Sequence, residues 1–238
     1  MEFEGIVIRS TPFRDHDAMI TVLSNDKMRS FLARGVLKYN SKLGPSVNMY
    51  TKSRFQISRG KEGYALRSGE ILESYKNIKG NIDCLAVEDF LGEATNKLVQ
   101  SEDAPEIYPF LERGLQLLDS GFSPYTVALI YFAKVLNVAG YSLNVDSCQI
   151  CGKKEAIIAL SYKDGGFICK DCFSALKHSK WDPNKLKLMR YIFKVGVENF
   201  NKVEFAKEDC LTIIKELSKF LDNVAQLNLK SIDLLKKI

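Results

Sequence analysis

Residues 148–172 read CQICGKKEAIIALSYKDGGFICKDC. Two Cys-x-x-Cys pairs, Cys148/Cys151 and Cys169/Cys172, stand 17 residues apart and hold four of the six cysteines in the 238-residue chain. The spacing is that of a zinc ribbon. Each pair presents two thiolates to one tetrahedral ion at about 2.3 Å, and a hairpin brings the pairs together. The intervening residues suit a hairpin, because β-branched and aromatic residues flank the turn signal Lys163-Asp164-Gly165-Gly166. Gly152 follows the first pair, where the chain needs positive φ. Residues 145–177 are therefore expected to be an inserted unit holding one structural Zn2+ ion.

Other uses of the cysteines fit less well. A thioredoxin-like redox pair is a single Cys-x-x-Cys beside a βαβ unit, and no such unit surrounds these. Four thiolates also hold an iron–sulfur cluster, so that alternative stays open. A catalytic zinc keeps three protein ligands and an open position, whereas four thiolates close the shell. The His-x-Glu or Cys-x-Glu partner of zinc deaminases is absent. His178, six residues past Cys172, is read as a surface histidine outside the shell, and Cys84 and Cys210 as core residues.

Upstream of the cysteines the pattern changes twice. Residues 2–9, 18–23, 29–34, 46–57 and 64–75 are strand-length runs rich in β-branched and aromatic residues. Turn signals separate them: Thr11-Pro12, Ser24-Asn25-Asp26, Lys42-Leu43-Gly44-Pro45 and Arg59-Gly60-Lys61-Glu62-Gly63. Five strands in this length suit a small closed barrel, an OB-fold first and an SH3-like barrel second. From residue 82 the apolar period becomes helical, with Asn81 or Asp83 as cap, and 105–119 and 123–140 repeat it. Pro105 and Pro124 sit as first-turn prolines, Gly121 and Gly140 as stops. Two more amphipathic helices are expected at 183–200 and 207–225. The fold class is thus α+β and multidomain. A barrel over 1–80 precedes a helical domain over 81–144 and 178–238, into which the cysteine segment is inserted.

Charge is unevenly placed. Residues 1–80 carry 14 Lys/Arg against 8 Asp/Glu, while the remainder carries 20 against 21. The span Lys27–Lys61 has nine basic residues and no acid, interleaved with Phe31, Tyr39, Tyr50 and Phe55. One-sign charge with aromatics is the footprint of a polyanion binder. Arg29, Arg34, Lys38, Lys42, Lys52 and Arg54 are the candidate phosphate contacts, with Arg14 beside them. Tyr39 and Tyr50 are the candidate stacking residues, with a place in the barrel core as the alternative for either.

Nothing in the chain calls for an enzyme. There is no phosphate-cradling G-x-x-x-x-G-K-[ST], no G-x-S-x-G and no H-E-x-x-H. Asp15-His16-Asp17 is read as a polar turn. No apolar run approaches the roughly 20 residues that span a bilayer. The start MEFEGIVIRS lacks a basic n-region, so a cytosolic chain is expected, where clustered cysteines bind metal rather than pair.

These features, in this order, resemble the bacterial recombination mediator RecO family, nearly end to end. GIVIRSTPFRDHDAMITVLSNDKMRSFLARGVLKYNSKLG is similar to its OB-fold, with strand, polar turn, strand, turn, strand, then a basic segment. Cys-x-x-Cys-Gly followed by Gly-Gly-x-x-Cys-x-x-Cys is similar to its zinc-binding insertion, and Leu229-Lys230-Ser231 to its closing Leu-Lys-Ser. The turn Ser24-Asn25-Asp26-Lys27 departs from the family's Thr-x-x-Gly-Lys. The resemblance implies a non-catalytic, cytoplasmic DNA repair and recombination protein, nucleoid-associated when acting on DNA. It would bind single- and double-stranded DNA, anneal complementary strands and associate with RecR. It would also contact the C-terminal tail of single-strand-binding protein (SSB) and help load RecA onto coated strands. The tail needs an apolar pocket rimmed by cations, for which Lys185, Lys187 and Arg190 beside Leu186, Leu188 and Tyr191 are candidates. The competing reading is a zinc-containing interaction scaffold whose basic barrel docks an acidic protein.

Overall fold

The structure, a computed structural model, describes residues 1–60 and 63–235. Five strands come first: β1 (Glu2–Phe13), β2 (Asp17–Leu23), β3 (Met28–Ala33), β4 (Lys52–Gly60) and β5 (Gly63–Glu73). They close into a barrel in the order β1-β2-β3-β5-β4, with β4 returning to β1. Only the β3–β5 contact is parallel. This is the five-stranded closed OB barrel. Alternation decides what fills it. Ala18, Ile20 and Val22 of β2 meet Phe31, Ala33, Phe55, Ile57 and Leu66 inside, while Met19 and Thr21 face out.

Strand β1 is buried on both faces at its centre. Val7 points into the barrel, whereas Ile6 and Ile8 belong to the core shared with the helices. That explains four consecutive buried residues, Gly5 to Ile8, where a half-exposed strand would alternate. Gly5 is required here, because a Cβ would lie 2.5 Å from Val22 Cγ1 and 2.6 Å from the Leu23 carbonyl oxygen.

Two strand boundaries differ from expectation. Thr11-Pro12 does not turn, since β1 runs to Phe13 and the chain reverses at Arg14, where φ is 59°. Strand β4 pairs only with Glu2–Ile6, so the far half of β1 has a free edge that tolerates proline. The expected strand over 46–57 starts only at Lys52. Before it, Pro45 opens a 3-10 turn over Gly44–Val47 that caps the barrel, held by Ser53 Oγ donating to the Ser46 carbonyl at 2.9 Å.

The helical region consists of α1 (Ile82–Leu98), α2 (Ala104–Asp119), α3 (Pro124–Val138), α4 (Pro183–Lys194), α5 (Lys207–Ala225) and the short α6 (Ile232–Leu235). Asn81 caps α1, its Oδ1 accepting from the amides of Asp83 and Cys84. Helix α3 is buried on all sides and forms the hub against α1, α2, α4 and α5. The helix expected to reach residue 200 ends at Lys194, where Val195 is extended and Gly196 leads into a 3-10 turn. Leu229-Lys230-Ser231 enters α6, and the Ser231 amide and hydroxyl and the Lys230 amide all donate to the Glu93 carboxylate of α1.

The barrel and helices share one core. Ile6, Ile8, Leu23, Tyr50 and Tyr75 cluster with Phe90, Leu91 and their neighbours. Asn96 Nδ2 donates to the Ile8 carbonyl at 2.7 Å, and Lys52 Nζ lies 2.6 Å from Glu112 Oε1 of α2.

The cysteine segment forms a three-stranded sheet from β6 (Asn144–Cys148), β7 (Ile157–Ser161) and β8 (Gly166–Cys169), ordered β6-β8-β7. The expected hairpin is β7–β8, with Gly165 at φ 85° in its turn. Strand β6 is additional: its sequence, NVDSC, has too little apolar character to announce a strand. Tyr162 anchors the sheet to the helices, meeting Trp181 edge-on, packing tilted on Phe220 and donating to Glu216 at 3.0 Å. Among the described residues no helix is long and apolar enough to cross a membrane.

Candidate nucleic-acid interface and metal centre

The four thiols of Cys148, Cys151, Cys169 and Cys172 converge, all sulfurs lying within 4.8 Å of one another. Four ligands at 2.3 Å from a tetrahedral ion stand about 3.8 Å apart. Cys151 and Cys169 Sγ are 3.6 Å apart, far beyond the 2.05 Å of a disulfide, and all six cysteines are free. The donor set therefore fits a single metal ion with a closed thiolate shell.

Backbone geometry builds both knuckles. The Gly152 amide donates to the Cys148 carbonyl at 2.9 Å with φ 75°, as positive-φ glycine permits, and the Cys172 amide donates to the Cys169 carbonyl. Burial raises the pKa of the Cys148 thiol, but backbone N–H groups of Cys169, Cys151 and Ile150 outweigh it and bring it to about 6. Hydrogen bonding to the Cys151 sulfur, with burial and the other two thiols, pushes Cys172 up to about 12. The cluster thus favours one thiolate and holds Cys172 protonated, and a cation joining the four sulfurs lets the remaining protons leave.

His178 is neither a ligand nor on the surface. Its side chain is buried, Nδ1 accepts from the Ser174 amide at 3.1 Å, and Nε2 meets Asp164 Oδ2 at 3.0 Å. An acceptor at Nδ1 places a proton on Nε2, which donates to the carboxylate and ties the β7–β8 turn to the second knuckle.

The barrel redistributes the basic run. Arg34, Lys38 and Lys42 are exposed and outside the ion pairs found among the described residues. Arg14, Arg34 and Lys38 line one cleft of about 480 Å3 with Asp15, His16 and Asp17, brought together because the β1–β2 turn meets the loop after β3. Two bonds stitch those loops: the Leu37 amide to the His16 carbonyl at 3.0 Å, and the Gly35 amide to Asp17 Oδ1 at 2.8 Å. Asp17 is thereby a loop staple, and Asp15-His16-Asp17 is the polar turn expected. Tyr39 is fully exposed in the same loop.

Four expected contacts are placed elsewhere. Tyr50 is buried against α1, where a Cβ on Gly92 would lie 2.1 Å from its hydroxyl, so it offers no stacking face. Arg29 is nearly buried, pairs in two places with Asp26 at 2.6 Å and lies over the Phe3 ring at 4.5 Å, locking the β2–β3 turn. Arg54 sits directly across from Glu4 on one neighbouring strand and Glu70 on the other, and pairs with both. Lys52 is committed to Glu112. The run is acid-free along the chain but not in space. Lys61 lies outside the described residues.

The outward face of β1–β2–β3 contributes groups that charge counting missed. Arg9, Thr11, Phe13 and Met19 are exposed there, beside Thr21 and Ser30. Of the acids on this face, Asp17 is already bound to Gly35, and Glu2 and Glu4 at the start of β1 are paired with Arg54. The alternation Arg9, Thr11, Phe13 was the available signal. This is the strand face with which OB-folds bind oligonucleotides.

The comparisons with known proteins agree with this plan. The family model "Recombination protein O N terminal" matches residues 1–75 and "Recombination protein O C terminal" matches residues 81–233. A DNA repair protein RecO from Bacillus cytotoxicus is 29% identical over 237 residues, covering 96% of this chain and 93% of that protein. The RecO of Listeria innocua is 27% identical over 231 residues, covering 96% of this chain and 91% of its own length. The chain belongs to the recombination protein O family of DNA repair proteins.

Proposed function

We propose that this protein is a non-catalytic recombination mediator of the bacterial cytoplasm. It binds single- and double-stranded DNA on its barrel, anneals complementary strands, and acts with RecR to load RecA onto SSB-coated strands. The observation that carries the reading is the cleft of Arg14, Arg34 and Lys38, continuous in sequence with Tyr39 and Lys42. Cations there neutralise phosphates and release counterions, giving strongly salt-dependent affinity. The exposed Tyr39 ring stacks on a base without reading sequence, at roughly 1–3 kcal/mol per base. Annealing then needs no catalytic group, because one surface holds two polyanions close enough to pair.

The division of labour follows the expected plan: residues 1–80 hold DNA, residues 145–177 hold one Zn2+, and the helices of 81–144 and 178–238 meet protein partners. Zinc fits a closed four-thiolate shell, where it supplies folding free energy and no open position for chemistry. For an acidic tail with an apolar end, a cleft of about 490 Å3 supports docking at α4. Lys185 and Lys187 rim it together with Asp182 and Asp209, and Leu188, Tyr191 and Phe205 floor it. Leu186 is buried in the core instead, and Arg190 lines the adjacent cleft.

The test is annealing of complementary strands precoated with SSB, comparing wild type with Arg34→Glu/Lys38→Glu. Loss of annealing with the fold intact is expected. Intact annealing with lost protein-partner binding would favour the scaffold reading instead.

A further inference from the structure

Helix α4 carries Lys185, Lys187, Arg190 and Lys194 and no acid. A second cleft of about 570 Å3 borders it, where Lys187, Arg190, Lys194 and Lys202 outnumber the one acid, Glu198, around Tyr191. It shares Lys187 and Tyr191 with the cleft assigned above to an acidic tail, so the two form neighbouring parts of one basic, aromatic-centred surface.

Two carboxylates from other elements reach these cations: Asp209 of α5 stands 3.9 Å from Lys185 Nζ, and Asp146 meets the pair at the far end of the helix. Asp146 of β6 places Oδ1 3.3 Å from Arg190 Nη2 and Oδ2 2.8 Å from Lys194 Nζ. All three side chains are about half exposed, at 47%, 56% and 54%. Pairs so exposed are weak and exchangeable, which is what a displaceable contact requires. The position of Asp146 is nonetheless set. Asn144 Oδ1 accepts the Asp146 and Ser147 amides, β6 pairs with β8, and the strand ends at the thiolate ligand Cys148.

We infer that Asp146 is an internal competitor for acidic peptides at α4, holding Arg190 and Lys194 in the place of a ligand carboxylate, and that the metal-pinned end of β6 keeps it there. This inference rests on the tail-docking reading of α4. It makes Asp146 a residue that sets affinity without belonging to the pocket's apolar floor. It also gives the cysteine centre a second consequence: ordering of β6 tunes how much free positive charge α4 presents. An acidic ligand must displace Asp146 from both cations or bind with the remaining ones.

The experiment uses the full chain and a fluorescein-labelled peptide of four aspartates ending in phenylalanine, followed by anisotropy at low salt. Asp146→Asn is expected to tighten binding roughly three- to ten-fold, the release of two exposed pairs. Asp222→Asn on α5, which changes net charge equally, is expected to leave affinity within about two-fold. Chelation of the metal is expected to tighten binding to wild type and to have little further effect on Asp146→Asn. Thermal melts confirm that each variant folds. Unchanged or weakened binding in folded Asp146→Asn overturns the competitor role, since the carboxylate would then be inert or would preorganise the cations. Equal effects of chelation on both proteins overturn the link to the metal. If the peptide binds neither protein, the docking reading falls, and the inference falls with it.

Discussion

Lys52→Met separates two roles that sequence and structure assign to one residue. As part of the acid-free run, Lys52 is a phosphate contact. In the fold it clasps the barrel to the helices, with Nζ 2.6 Å from Glu112 Oε1, and both side chains are only about a quarter exposed (22% and 25%). Tyr108 donates to the same oxygen at 3.2 Å. Removing the ammonium leaves a half-buried carboxylate with one neutral donor. A hydrogen bond to a charged group is worth about 1.5–3 kcal/mol, and discounting for the exposed quarter leaves about 1–2 kcal/mol. For a chain of this size that lowers Tm by about 2–8 °C. The salt dependence of DNA binding is expected to stay at its wild-type value. Arg34→Met is the converse control, with Tm unchanged and the logarithmic salt slope for single strands reduced by about 0.7. Differential scanning calorimetry and fluorescence titrations between about 50 and 200 mM salt measure both quantities. A Lys52→Met protein with wild-type Tm and a reduced slope would refute the clasp and restore the phosphate role.

Three further outcomes follow from the same contacts. Chelation or Cys148→Ser is expected to unfold the β6–β8 sheet locally, shifting the emission of Trp181, the chain's one tryptophan, which packs on Tyr162, while DNA binding by the barrel persists. Tyr39→Ala is expected to weaken single-strand binding by roughly 1–3 kcal/mol per stacked base and to change stability by less than about 0.5 kcal/mol, since the ring touches nothing in the fold. Burial raises the Glu93 pKa, but the Lys97 ion pair and the Ser231 and Lys230 donors outweigh it and hold the carboxylate at about 2. Its stabilisation is full above the ordinary carboxylate range and is lost as pH falls from about 4.5 through about 2, so acid titration of Glu93→Gln should show a shallower loss than wild type over that window.

Much of this molecule was legible in one dimension, because the forces that shape it are local. Alternation in AMITVL, the Asn81 cap, the glycine stops and the Cys-x-x-Cys knuckles each carry their own geometry. What escaped depends on neighbours distant in sequence. Arg54 reads as a free cation until register sets Glu4 and Glu70 on either side of it. Tyr50 reads equally as a stacking or a core residue until α1 presents Gly92 to its hydroxyl. Arg9, Phe13 and Met19 lie outside the charge-rich span, and only the closed barrel shows that they share its open face. His178 reads as a solvent residue because its partner, Asp164, is brought to it by a hairpin turn. Strand β6 takes its order from β8 and the cysteine cluster, not from its own apolar content.

The central claim is that exposed loop cations, not the whole basic run, grip the phosphate backbone. The salt slope of single-strand binding by a folded Arg34→Gln/Lys38→Gln/Lys42→Gln protein tests it most directly. Three lost phosphate contacts reduce the slope by about 2 with Tm unchanged. A slope equal to wild type in that protein would contradict the claim.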